Sequence, residues 1–209
     1  MSSPATANTR KQDTRHRILM AALGLVEGGR PPTDLGLREV ARQAGIAAPS
    51  IYNHFKNMDE LGLALLDDRL ARIRSLARQA RQKMAGESVE VVVNVLMQQF
   101  YLYMQKYEAT LRLIIQQWFN PNPEYRNTIR RELAAIREDL ANNISQQESS
   151  QANPSPERNK EDIAIESEAI LSLLIIYLID AMDLNEDKRE QRLARLEKQL
   201  LMLVRGSRV

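Results

Sequence analysis

The sequence predicts an all-α protein, and three observations carry that reading. Apolar residues recur at three- and four-residue spacing along most of the chain. No β-branched run alternates with polar residues over the length of a strand. Glycine and proline sit mainly where one periodic segment gives way to the next. The expected architecture has about nine helices. A three-helix helix-turn-helix domain with a flexible basic arm spans residues 1–56, and a larger helical domain spans 57–209.

The first helix is expected from about Asp13 to Glu27, where Ile18, Leu19, Ala22, Leu23 and Val26 make one stripe. Gly28-Gly29 and the Pro31-Pro32 pair end it. Leu37 to Ala44 and Pro49 to His54 read as two short helices around Gly45. Asn57 and Glu60 stand at the spacing of a capping box and open a longer helix to about Met84, stopped by Ala85-Gly86. Ser88 caps a helix to about Tyr107, and a shorter one follows through Trp118. NPNPEY (120–125) interrupts the pattern before a helix that reaches about Ile144. Residues 145–160 are polar, carry two prolines and read as a mobile loop. Glu161 to Leu184 and Glu186 to Val204 are the last two helices.

Composition removes several function classes. With no cysteine there is no disulfide, thiolate metal site or cysteine nucleophile. His16 and His54 are the only histidines, too few for a histidine-rich metal centre. No Gly-x-Ser-x-Gly elbow, phosphate loop or His-Glu-x-x-His is present, so no enzyme, cofactor or metal is expected. The N-terminus lacks the apolar stretch of a signal peptide. The most apolar run, AILSLLIIYLI (169–179), is half of the roughly 20 residues that cross a membrane, so it reads as a buried helix and the protein as cytoplasmic. Net charge is +2, but residues 1–56 hold eight Lys or Arg against four Asp or Glu. An anionic partner would dock at that end.

LREVARQAGIAAPSIYNHF (37–55) has what a helix-turn-helix needs. Two helices crossing steeply through a short turn require a small residue at the crossing, positive φ in the turn and apolar inner faces. Ala41 falls at the crossing and Gly45 at the turn, while Val40, Ala44, Ile46 and Ile51 face inward. The second helix is left with Ala48, Pro49, Ser50, Tyr52, Asn53 and His54 on its free side and ends. Ala48 and the Pro49 ring suit thymine methyls, and Ser50 and Asn53 suit base edges or phosphates. Tyr52, His54, Lys56 and Arg38 are placed for phosphates, and Arg10, Lys11 and Arg15 for the backbone or minor groove.

At Tyr52-Asn53-His54-Phe55 the pattern becomes a family resemblance. Residues 12–66 resemble the DNA-binding domain of the TetR family of bacterial repressors, with Phe55-Lys56 leading into a long helix as in that family. The resemblance implies a homodimer on a near-palindromic operator, its recognition helices roughly 34 Å apart. It also implies that the last two long helices form a four-helix bundle between subunits. Leu171, Leu174, Ile175, Leu178, Leu193, Leu196 and Leu200 are the expected interface residues, unless they fill the subunit's own core.

Met97, Phe100, Tyr103, Met104, Tyr107, Leu111, Ile114, Ile115, Trp118 and Phe119 gather large, soft side chains in the middle of the chain. They suit an apolar effector pocket, and they equally suit a plain core. Residues 59–68, 77–85 and 191–207 resemble the FabR-type and DesT-type subgroup, whose members respond to long-chain acyl-CoA and control unsaturated fatty acid synthesis. Gln116, Gln117 and Trp118 stand where FabR-like proteins carry charged residues. The resemblance therefore implies a repressor controlled by a hydrophobic effector such as a long-chain acyl-CoA. The alternative is a repressor of an efflux or catabolic operon that senses another hydrophobic molecule. Such drug sensors usually carry buried acids, and Glu108 is the only acid within 98–119. Arg72, Arg74, Arg78 and Arg81 suit either CoA phosphates or a solvated face.

Overall fold

The computed structural model describes residues 4–30, 34–82, 86–149 and 159–206, with side chains from Thr9 onward except that of Arg10. Among these residues the chain is helical throughout: α1 (Pro4–Glu27), α2 (Leu37–Gln43), a 3-10 helix (Ala48–Asn53), α3 (Met58–Gln82), α4 (Val89–Lys106), α5 (Glu108–Gln117), α6 (Pro123–Ser149), α7 (Lys160–Ala181) and α8 (Glu186–Gly206). No described helix is long and apolar enough to cross a membrane.

Most boundaries follow local chemistry legible in the sequence. Asn57 Oδ1 accepts from Glu60 N at 2.8 Å, and Glu60 Oε2 accepts from Lys56 N at 2.8 Å, so the capping box forms at the start of α3. Ser88 caps α4 by accepting from Val91 N at 3.4 Å. Asn159 caps α7 through Asp162 N at 2.8 Å. Two limits differ from expectation. Helix α1 begins at Pro4 rather than near Asp13, since proline fits the first turn and the residues after it are compatible with a helix. Helix α6 continues through Ser149, because SQQES contains no glycine or proline to stop it. The rest of the expected loop, residues 150–158, lies outside the described residues, as do 83–85 at the expected end of α3.

The chain packs as two compact units. One comprises residues 1–69 and 116–129, the other 70–115 and 130–209. Ile18, Val40, Ala41, Ile51 and Phe55 are fully buried in the first. In the second, Val93, Met97, Met104, Leu111, Tyr177, Ala181, Met182, Leu196 and Leu200 form one apolar cluster from α4, α5, α7 and α8. At about 25 cal/mol per Å² of apolar surface removed from water, clusters of this size dominate stability.

Candidate nucleic-acid interface and effector region

The turn between α2 and the 3-10 helix is built as the sequence requires. Gly45 has φ +66°, a conformation costly for any residue with a Cβ. Around it Gly45 N donates to Arg42 O at 3.1 Å and Ile46 N to Ala41 O at 3.0 Å, a Schellman ending of α2. Ala41 is fully buried at the crossing, as are Val40 and Ile51. Arg17 on α1 donates to Ala44 O at 2.7 Å, holding the last turn of α2 from outside.

This scaffold leaves Pro49, Tyr52, Asn53 and Lys56 exposed, with Ala48, Ser50 and His54 half-buried. Arg38 and Arg42 on α2 and Lys11 on α1 are also exposed. Arg15 is engaged within the fold, where it donates to His54 O at 3.2 Å and its guanidinium lies 4.2 Å from the Phe55 ring centroid. Arg10 falls within α1, its side chain outside the described ones. Burial, reinforced by the positive charges of Lys11 and Arg15, pushes the His54 pKa down. The end of the 3-10 helix therefore lies close to positive charge, the sign that attracts an anionic partner. Sequence reasoning overlooked Arg17, because nothing in a periodic pattern reveals which arginine reaches back to a helix end.

In the second unit, Met97, Met104 and Leu111 lie within the apolar cluster, Ile114 is buried, and Phe100, Tyr103 and Ile115 pack against the cluster. The Tyr103 and Tyr107 rings meet at 4.6 Å, tilted by 40°, and Phe100 meets Tyr177 at 5.9 Å, tilted by 55°. Trp118 and Phe119 belong to the first unit and are 37% and 81% exposed. Glu108 binds two arginines: Arg189 Nη1 donates to it at 2.9 Å and Arg112 Nη2 at 3.0 Å. Arg189 Nε also donates to Ala181 O at 2.7 Å, and Arg112 to Met182 O, so both arginines finish the C-terminus of α7.

Leu196 and Leu200 turn inward into the cluster, with Leu174, Leu178 and Leu193 against it; Leu171 and Ile175 are half-buried. What α7 and α8 leave outside is Ile165, Ile176, Ile179 and Met202, each about half exposed or more. Beside Ile179 runs an open groove of about 740 Å³, lined by Asp180, Asp183, Leu184, Lys188, Arg192 and Arg195 among others. A helix that is apolar all round gives no phase from which to tell inner from outer positions.

A helix-turn-helix with a buried crossing, which leaves a proline, an asparagine and the cations Lys11, Arg38, Arg42 and Lys56 exposed, defines a DNA-binding protein of the helix-turn-helix class. Residues 19–65 match the model of the bacterial regulatory proteins of the tetR family. Across 198 residues the chain is 31% identical to a helix-turn-helix-type transcriptional regulator of Haemophilus influenzae that is itself uncharacterised, covering 94% of this chain and 91% of that one. The fold is similar to a TetR transcription regulator of Haloarcula marismortui (TM-score 0.69, 15% identity, 93% and 98% of the two chains). It is also similar to the transcriptional regulator FadR of Bacillus subtilis, solved with stearoyl-CoA (TM-score 0.61, 14% identity, 91% and 98%). The chain belongs to the tetR family and is a transcriptional regulator, not an enzyme.

Proposed function

We propose that this regulator is a homodimeric repressor of unsaturated fatty acid metabolism, released from or tightened on a near-palindromic operator by a long-chain acyl-CoA. The observation that carries the effector class is the Met97–Met104–Leu111 cluster with Phe100 and Tyr103 against it. Methionines adapt to a guest, and an acyl tail gains up to about 0.8 kcal/mol for each methylene buried. A cis double bond bends the tail, so a close-packed site tells bent from straight. The fold's likeness to a regulator holding stearoyl-CoA supports the same class. Glu108 argues against a cationic drug, since Arg112 and Arg189 already neutralise the one acid of the aromatic segment. Exposed Ile176, Ile179 and Met202 suit the face that a second subunit would cover.

The test has two arms. Sites selected from random duplex DNA should be inverted repeats bound by dimers. Palmitoyl-CoA and oleoyl-CoA should each form complexes visible by native mass spectrometry and shift operator affinity to different extents. If neither forms a complex at micromolar concentration, the acyl-CoA reading is lost and the regulator's effector lies elsewhere.

A further inference from the structure

Arg81 stands in the last turn of α3 with 7% of its surface exposed. Its Nε and Nη2 are shut off from water and have no hydrogen-bond partner among the described residues. Asp139 on α6, the carboxylate that acts on it through space, is already occupied. Arg78 donates to it through Nη2 at 2.8 Å to each oxygen and through Nε at 3.3 Å. Arg78 therefore consumes the counter-charge and places a second positive charge beside Arg81. Glu132, earlier on α6, stands in ion-pair range of Arg74 and Arg131, each at 3.5 Å, and its buried Oε2 accepts no hydrogen bond, from Arg81 or from any other described residue.

A guanidinium cannot shed its proton to escape burial. Burying one without a partner is among the costliest arrangements a core can hold, and an apolar replacement is often more stable. What Arg81 presents is a planar pair of donors with no acceptor, the fork that matches two oxygens of a carboxylate or phosphate. We propose that Arg81 receives the oxyanion of the effector, an inference that rests on the acyl-effector reading for the identity of the ligand but not for the existence of the anion site. The two nitrogens are covered, so the anion binds a conformation in which that cover has moved. Its preference for that conformation is what shifts the equilibrium. Because α3 is one continuous helix from Met58 to Gln82, a ligand at Arg81 acts on the same helix that opens next to Lys56.

The experiment compares the wild type with Arg81→Met and Arg81→Lys in the full chain. Thermal midpoints are read in chloride and in inorganic phosphate at matched ionic strength. Affinities for palmitate, palmitoyl-CoA and hexadecanol are read by calorimetry. In chloride, Arg81→Met should melt above the wild type by about 2–4 °C, since it removes an unmatched buried charge. Phosphate should raise the wild-type midpoint and leave that of Arg81→Met unmoved. Arg81→Met should weaken palmitate, palmitoyl-CoA or both by about tenfold and leave hexadecanol unchanged. Loss for palmitate alone names a carboxylate as the partner; loss for palmitoyl-CoA alone names a CoA phosphate. Arg81→Lys keeps the charge but not the planar fork, so it should recover only part of either loss. Phosphate stabilisation that depends on Arg81, in a protein that binds none of the three acyl ligands, would uphold the anion site and discard the acyl effector. A lower midpoint for Arg81→Met in chloride, with no phosphate effect that depends on Arg81, would overturn the proposal and make Arg81 a packing residue.

Discussion

The Tyr125 hydroxyl sits directly over Gly62: a Cβ built there would collide with it and lie 3.3 Å from the ring carbon Cζ. Tyr125 opens α6, is 5% exposed, and donates to Asp59 O at 3.4 Å. Burial, with Asp59 adding to it, raises its pKa to about 12, so the phenol stays protonated at any physiological pH. Gly62→Ala should therefore push the ring out and destabilise the first unit by about 1–3 kcal/mol, the usual range for overpacking. Tyr125→Phe removes the colliding oxygen. The double variant should lose less stability than the sum of the two single changes, measured by urea unfolding. Strict additivity would mean that the two positions do not share this contact.

Recognition and affinity should separate by residue. Lys56 is exposed beside the recognition segment, and Lys56→Ala should weaken binding to every DNA sequence alike. The slope of log affinity against log salt should become shallower by about 1.8, about 0.9 for each of the two lysines that a dimer carries. Asn53→Ala should instead relax the preference at one position of each half-site by about 1–3 kcal/mol, with little change in slope. Fluorescence anisotropy on a small operator library, repeated at several salt concentrations, reads both quantities. An unchanged half-site preference in Asn53→Ala would remove it from direct readout.

How far the sequence could be read depended on whether the deciding interaction was local. Gly45, Asn57 and Glu60 act within a few residues of themselves, and all three do what their spacing foretells. The inward face of the helix-turn-helix was equally legible, because Val40, Ala41 and Ile51 differ sharply from their exposed neighbours. Arg15 and His54 were not, since only the fold brings α1 against the end of the 3-10 helix. Leu196 and Leu200 illustrate a different limit: in a helix pair rich in leucine on several faces, periodicity does not say which face a partner takes. Gly62 and Tyr125 are 63 residues apart, and no local pattern couples them.

His54 should make the first unit sensitive to mild acid. Its folded pKa lies below the ordinary 6.5, through burial first and then the charges of Lys11 and Arg15. An unfolded chain binds the proton near 6.5, whereas the folded one resists it until lower pH. Stability is therefore complete above that value and falls as pH drops below it. His54→Gln should flatten the acid limb of stability against pH while leaving stability near pH 7.5 little changed. Chemical unfolding followed from pH 5 to 8 decides this, and an acid limb of undiminished steepness in the variant would assign it to another group.

The Glu108 network gives a second pH signature, set by a carboxylate held in its charged form. Hydrogen bonds from Arg189, and then from Arg112, hold the Glu108 carboxyl below its ordinary range against the opposing effect of burial. A depressed carboxyl contributes stability that is present above its unfolded pKa and lost as pH falls through the folded one. Its side chain is 33% exposed, so solvent screening reduces what the pair is worth. Glu108→Gln keeps the shape but removes the charge, leaving Arg189 with the carbonyls of Ala181 and Met182, and Arg112 with the Met182 carbonyl and the exposed carboxylate of Asp183 at 3.2 Å. The expected cost near pH 7 is about 1 kcal/mol, below the usual range of about 1.5–3 for hydrogen bonds to charged groups because solvent screens the partly exposed pair. It should shrink as pH falls, because the wild type loses the same charge by protonation. Adding Arg112→Gln should recover part of the loss by relieving the repulsion left behind. If the drug-sensor alternative held instead, Glu108→Gln would reduce affinity for a cationic ligand such as ethidium. In a regulator of acyl ligands it should leave ethidium binding, measured by fluorescence, unchanged.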